Sequence, residues 1–294
     1  MKPTSQRNPS EEPLSGRTCV VTGATSGIGR ATATELARLG AHVAICGRNV
    51  ELGKAVLAEV QERARGGVEL FLADLSSQSE VRRLAAELLE RLPQIHVLIN
   101  NAGVITQERT LTADGIETQL AVNHLAPFLL TNLLLDRLKA SSPARIVNVA
   151  SQVEGMGSID FDDLGRERSY VPTAAYAQSK LANVLFTREL ALRLRGTGVT
   201  ANCLHPGVIA TRLLDDYLRR PKALGFWTRM RSPPPTEGAR TSVYLAASSE
   251  VQGVTGKYFV NCKAVPSSAR SQDPALARRL WDVSAQLVGL EARR

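Results

Sequence analysis

The stretch RTCVVTGATSGIGR, residues 17–30, decides the fold. Arg17 to Thr22 reads as a short buried strand. A glycine-rich turn follows, made of Gly23, Ala24, Thr25, Ser26, Gly27, Ile28 and Gly29. From Gly29 to Leu39 the chain reads as a helix, with apolar residues at Ile28, Ala31, Leu36 and Leu39. Glycines let a backbone approach a pyrophosphate. The start of a helix offers that anion free N–H groups and the positive end of a dipole. The spacing is G-x-x-x-G-x-G, not the commoner G-x-G-x-x-G. By itself the turn therefore leaves two readings open, a dinucleotide cradle and an ordinary tight turn.

Outward from this unit, strand-like and helix-like segments alternate. Strands are expected at residues 41–46, 68–73, 95–99, 145–150, 199–204 and 257–260. Helices are expected at 51–64, 77–91, up to about 139, 173–195, 236–247 and 273–288. Pro274 suits the first turn of the last one. Such repetition predicts an α/β domain with a seven-stranded, mainly parallel sheet covered on both faces. Ligands then bind at the carboxyl ends of the strands, where the strand order reverses. Two stretches, 152–172 and 212–235, break the rhythm. Both leave strand ends on that side and are expected to wall a substrate pocket.

Tyr176 and Lys180 lie on one of these helices, four residues apart and so on one face. A phenol normally titrates near pH 10, and a nearby ammonium favours its ionised form. Most Tyr-x-x-x-Lys pairs are solvated helix faces, so the pair gains meaning only from its surroundings.

Composition narrows the classes of function. The chain has 294 residues, 44% of them apolar, which suits one large α/β domain. Net charge is +8, but the basic residues are scattered and not interleaved with aromatics, so no nucleic-acid role is expected. The four cysteines and four histidines are isolated in sequence, without metal-ligand spacing, and no metal is expected. Residues 1–15 read as a loose arm and 291–294 as a tail, leaving a domain over 16–290. The arm lacks the apolar core of a signal peptide, and no 18-residue apolar stretch is present. A cytoplasmic protein without a transmembrane segment is expected.

One ordered set of residues resembles the short-chain dehydrogenase/reductase family. It is Thr22-Gly23-x-x-x-Gly27-x-Gly29, Asn100-Asn101-Ala102-Gly103, Ser151, Tyr176-x-x-x-Lys180 and Pro206-Gly207. Residues 159–164 (IDFDDL), 175–183 (AYAQSKLAN), 185–190 (LFTREL), 255–259 (TGKYF) and 279–281 (RLW) resemble its retinol dehydrogenase branch. Ser151 and Tyr176 stand farther apart than in most of the family, though that branch carries such an insertion. Eukaryotic members of the branch commonly have an N-terminal membrane anchor, and none is read here.

The resemblance implies a Rossmann-type doubly wound domain and an ordered site. Tyr176 would be the general acid in reduction and the base in oxidation. Lys180 would lower the pKa of Tyr176 and bind the nicotinamide ribose, and Ser151 would donate to the substrate oxygen. Asn123 would hold a helix irregularity and a water in a proton relay. Gly23, Thr25, Ser26, Gly27, Ile28 and Gly29 would cradle the pyrophosphate. Asp74, with Leu75, would meet the adenine, and Asn101, Ala102 and Gly103 the adenine ribose. Pro206, Gly207, Val208 and the Thr211 hydroxyl would contact the carboxamide. Simpler readings stand beside these: Ser151 as a strand-end cap, Asn123 as a buried structural amide, Pro206-Gly207 as a plain turn.

Cofactor choice follows from charge. NAD sites place a carboxylate after the second strand. Here Arg48 and Asn49 stand in that region, and Arg48 offers a planar fork for a 2′-phosphate. NADP(H) is expected over NAD(H). The leading expectation is an oxidoreductase acting on a lipophilic, retinal-like aldehyde or ketone, working as a homo-dimer or homo-tetramer. The alternatives are a natural-product ketoreductase, an epimerase or dehydratase on the same fold, and a non-catalytic dinucleotide sensor.

Overall fold

The computed structural model describes residues 12–209 and 233–290. Its first half runs β1 (Thr18–Thr22), α1 (Gly27–Arg38), β2 (His42–Gly47), α2 (Val50–Arg63), β3 (Val68–Leu72), α3 (Gln78–Arg91) and β4 (Val97–Asn100). A short helix α4 (Thr118–Leu120) leads through a π turn (Ala121–Leu125) into α5 (Ala126–Ala140). Then come β5 (Ala144–Val149), α6 (Pro172–Arg193), β6 (Val199–His205), α7 (Pro235–Ala247), β7 (Tyr258–Val260), β8 (Lys263–Val265) and α8 (Pro274–Leu287).

The strands form one sheet in the order β3-β2-β1-β4-β5-β6-β7-β8. All pairs are parallel except β7 with β8. The order reverses between β1 and β4, and the crevice there opens beside the glycine-rich turn. The expected count of seven strands is corrected to eight among the described residues. β8 is three exposed residues on an edge, so it carries no apolar pattern that a sequence reading would register. Asn261 and Cys262 make the two-residue turn before it, with φ of 49° and 63°, the left-handed geometry of a tight hairpin.

Alternation along β1 assigns the two faces. Val20 joins a core with Leu84 and Leu88 of α3, Phe128 and Leu129 of α5, and Phe186 of α6. Cys19 and Val21 join a core with Leu36 of α1, Val56 and Val60 of α2, and Leu245 of α7. Strands buried on both faces read as continuous apolar runs, which is why residues 17–22 were legible. The helix α8 closes over α6 through Ala277 and Leu280 against Leu181 and Leu185. Within the segment expected to be a loose arm, residues 12–15 are docked. Leu14 is buried, and its N–H donates to the Leu39 carbonyl at 3.1 Å. Among the described residues no helix is long and apolar enough to cross a membrane.

Candidate active site

The glycine turn is shaped by close approach. Gly23 and Gly27 have φ of 65° and 53°, which an L side chain rarely adopts. A methyl on Gly29 would strike the Gly23 carbonyl oxygen and the Asn101 amide. One on Gly23 would meet the Ala102 Cα at 2.8 Å. The turn is therefore pressed against the segment that follows β4. Thr22 Oγ1 seals the junction by accepting the N–H groups of Asn101 (3.0 Å) and Ala102 (3.1 Å). Ser26, the N-cap of α1, makes no side-chain cap hydrogen bond. An anion at that helix end would meet N–H groups and a positive dipole end. This cradle fits a dinucleotide pyrophosphate.

Beyond β2, Arg48 is exposed, and its side chain makes no hydrogen bond or ion pair with the described residues. Asn49 has a structural task. Its Oδ1 accepts the Leu52 N–H at 2.8 Å and caps α2. Asp74 Oδ1 accepts the Ser76 N–H at 2.9 Å, and the residue is exposed at the end of β3. Pro206, Gly207 and Val208 follow β6, with Gly207 at φ 91° and Val208 exposed. Thr211, and residues 212–232 of the expected pocket wall, lie outside the described residues.

At the carboxyl ends of β4 and β5 the remaining residues converge. Lys180 is 2% exposed and donates from Nζ to the Val149 carbonyl at 3.0 Å. Its Nζ lies 5.4 Å from the centroid of the Tyr176 ring. Burial pushes the Lys180 pKa down to about 8. Gly103 faces the same spot, since a methyl there would sit 3.4 Å from Asn123 Oδ1 and 3.5 Å from Lys180 Nζ. Asn123 lies at the middle of the π turn. Its Oδ1 accepts the Val104 N–H at 2.7 Å, and its Nδ2 donates to the Val104 carbonyl (2.9 Å) and to Ser179 Oγ (3.0 Å). Ser179 in turn donates to the Tyr176 carbonyl at 2.8 Å. The irregular winding at 121–125 thus ties the segment after β4 to the turn of α6 that carries Tyr176. A π turn within a helix often marks a functional site.

Ser151, directly after β5, caps a short 3₁₀ turn, Gln152–Met156, and accepts the Val153 N–H at 3.4 Å. Sequence reasoning missed what holds this turn. Glu154 is buried and accepts Ser268 N–H (2.8 Å) and Ser268 Oγ–H (2.6 Å). Arg270 Nη1 donates to the Gly157 carbonyl at 2.8 Å. A second missed residue is Tyr170, whose hydroxyl lies 2.7 Å from Thr106 Oγ1 and accepts from Gln119 Nε2 at 2.7 Å. An acid three residues after Ser151 was the only signal for the first, and nothing local marked the second.

The short chain dehydrogenase family model matches residues 17–221. The chain belongs to the short-chain dehydrogenase/reductase family. It is an oxidoreductase by that membership. It is 45% identical to human retinol dehydrogenase 14, over 94% of this chain and 88% of that protein. It is 46% identical to bovine retinol dehydrogenase 12, again over 94% and 88%. Among solved structures, an uncharacterized protein from Mycobacterium paratuberculosis superimposes with a TM-score of 0.77 at 36% identity, covering 96% of this chain and 97% of that one. A short chain dehydrogenase from Shigella flexneri, solved in complex with NADP, shares the fold with a TM-score of 0.70 at 24% identity, covering 86% and 100%. The fold is one that binds a nicotinamide dinucleotide.

Proposed function

We propose that this chain transfers a hydride between NADP(H) and the carbonyl or alcohol carbon of a lipophilic substrate, with Tyr176 as the general acid and base. The observation that carries the reading is the buried Lys180 ammonium beside the Tyr176 ring. A cation 5.4 Å from the ring centroid stabilises the phenolate in a site sheltered from water. Tyr176 Oη is the group that gives the proton in reduction and takes it in oxidation. Ser151 Oγ–H, next to the end of β5, supplies the second donor to the substrate oxygen. Asn123 fixes the spacing of the set by binding both backbone groups of Val104 and the Ser179 hydroxyl.

The pyrophosphate is taken by the Gly23–Gly29 turn, the adenine side by Asp74, Leu75 and residues 101–103, and the carboxamide by residues 206–208 and Thr211. The bound dinucleotide supplies the hydride in reduction and accepts it in oxidation. Arg48, just after β2, offers a planar fork that would suit a 2′-phosphate, and residues 44–49 hold no carboxylate, which favours NADP(H). Lipophilicity is supported by Met156 and Val208, 67% and 63% exposed, which follow β5 and β6 on the site's side of the sheet. It is supported too by the relatives' name, retinol being an apolar alcohol.

Replacing Tyr176 with Phe tests the reading. Turnover of an apolar aldehyde with NADPH should fall about a thousandfold while dinucleotide affinity holds. Near-parental turnover in that variant would refute it.

A further inference from the structure

A cavity of about 560 Å³ lies at the amino ends of the strands, remote from the site above at their carboxyl ends. Its walls include Val97, Ala144 and Val199, the first residues of β4, β5 and β6. Ser151 follows the far end of β5. Six residues at about 3.3 Å each put roughly 20 Å between the two regions. A volume of this size is typical of small-molecule sites.

The lining has an unbalanced charge. Arg17, Arg145, Arg195 and His96 line it, and among the described residues no Asp or Glu does. Arg17 Nη1 donates to the Pro143 carbonyl at 3.3 Å, and Arg145 Nη1 to the Leu245 carbonyl at 3.0 Å. Both partners are neutral. Among the described residues neither guanidinium forms a salt bridge, although surface arginines elsewhere, such as Arg38 and Arg83, do. His96 accepts the Thr18 N–H at Nδ1 (3.0 Å), so its neutral ring carries its proton on Nε2. Burial, and then the Arg17 charge, hold both Arg145 and His96 below their ordinary pKa values. The cluster is thus self-repelling and, among the described residues, lacks a counter-ion. Each guanidinium has five N–H donors and spends one on a carbonyl, which leaves the fork free for an anion. Around this head, Leu14, Ala191, Leu194 and Ala246 give an apolar wall.

We propose that this cavity is a second ligand site, one that takes an amphipathic carboxylate, its head on Arg17 and Arg145 and its chain along Leu14 and Leu194. Neither the hydride-transfer chemistry nor the dinucleotide cradle uses any of these residues. A bare anion such as phosphate satisfies the cations but not the apolar wall, and a neutral alcohol does the reverse.

Calorimetry on the full chain saturated with NADP tests this, using decanoate, decanol and inorganic phosphate as probes. Decanoate should bind, with decanol and phosphate each weaker by about tenfold or more. Arg17→Gln and Arg145→Gln should each weaken decanoate by about tenfold and leave dinucleotide affinity and turnover unchanged. Arg17 is only half-buried, so its variant remains informative if Arg145→Gln fails to fold. Decanoate competing with the carbonyl substrate would place it in the catalytic region and overturn the assignment. So would equal affinity for decanol, tighter binding of phosphate, unaltered affinity in Arg17→Gln, or no uptake of decanoate.

Discussion

Lys180 and Tyr176 are joined by a division of labour on one helix face: the Lys180 ammonium reaches past the phenol ring, 5.4 Å from its centroid, to bond the Val149 carbonyl at the end of β5. The lysine is therefore oriented by the sheet and not by its own helix. It stays charged below about pH 8 despite being almost fully buried. Holding that charge costs about 3 kcal/mol relative to water.

This cost has a measurable sign. The folded pKa of Lys180 lies below the unfolded value of 10.5, so the unfolded chain binds more protons between about pH 8 and pH 10.5. Stability relative to Lys180→Met should rise across that window and be level below it. Urea unfolding of both proteins at several pH values checks this. A difference that shrinks for the parent as pH rises would contradict it.

His124 has the same signature at a lower pH. It is fully buried, 2.7 Å from Ser284 Oγ, and burial pushes its pKa down to about 4 from 6.5. The stability that comes from keeping it neutral is complete above pH 6.5 and is lost as pH falls toward 4. About 3 kcal/mol is at stake. His124→Asn should flatten the acid limb of the stability profile, as read by thermal unfolding between pH 4 and 7.

Removing the Asn123 amide should hurt stability and catalysis together. Asn123→Ala strands the Val104 backbone groups, which costs about 2 to 4 kcal/mol of unfolding free energy. Because the π turn loosens, kcat should drop more than dinucleotide affinity. Unchanged kcat in a folded variant would mean that the turn is structural only.

Arg48→Glu should invert the cofactor preference. Losing a charge-assisted hydrogen bond of about 1.5 to 3 kcal/mol lowers kcat/KM with NADPH by roughly ten- to a hundredfold, while NADH suffers little. Steady-state kinetics with the two cofactors decide it, and an unaltered ratio would relegate Arg48 to the surface.

Much of the fold was readable because burial on both faces leaves a strong trace. Cys19, Val20 and Val21 are apolar and buried on both sides of the strand, and the glycine spacing that follows tolerates no side chain at Gly29. The strand β8 left no such trace: Lys263, Ala264 and Val265 are all exposed, and its turn uses Asn261-Cys262 instead of the usual glycine. In the site, Tyr176 and Lys180 stood out by their spacing on one helix face, Asn123 came through resemblance, and their distances then emerged from packing. The contact of Glu154 with Ser268 was beyond any sequence pattern, since 114 residues separate them and only the docking of the 266–272 segment brings them together.

The edge formed by β8 has a consequence for crowding in the cell. Three residues with a lysine at one end make a poor template for another chain's backbone, and the flank they guard would otherwise expose β7. The hairpin acts as a terminator, so a neighbouring copy gains little by extending the sheet at this margin.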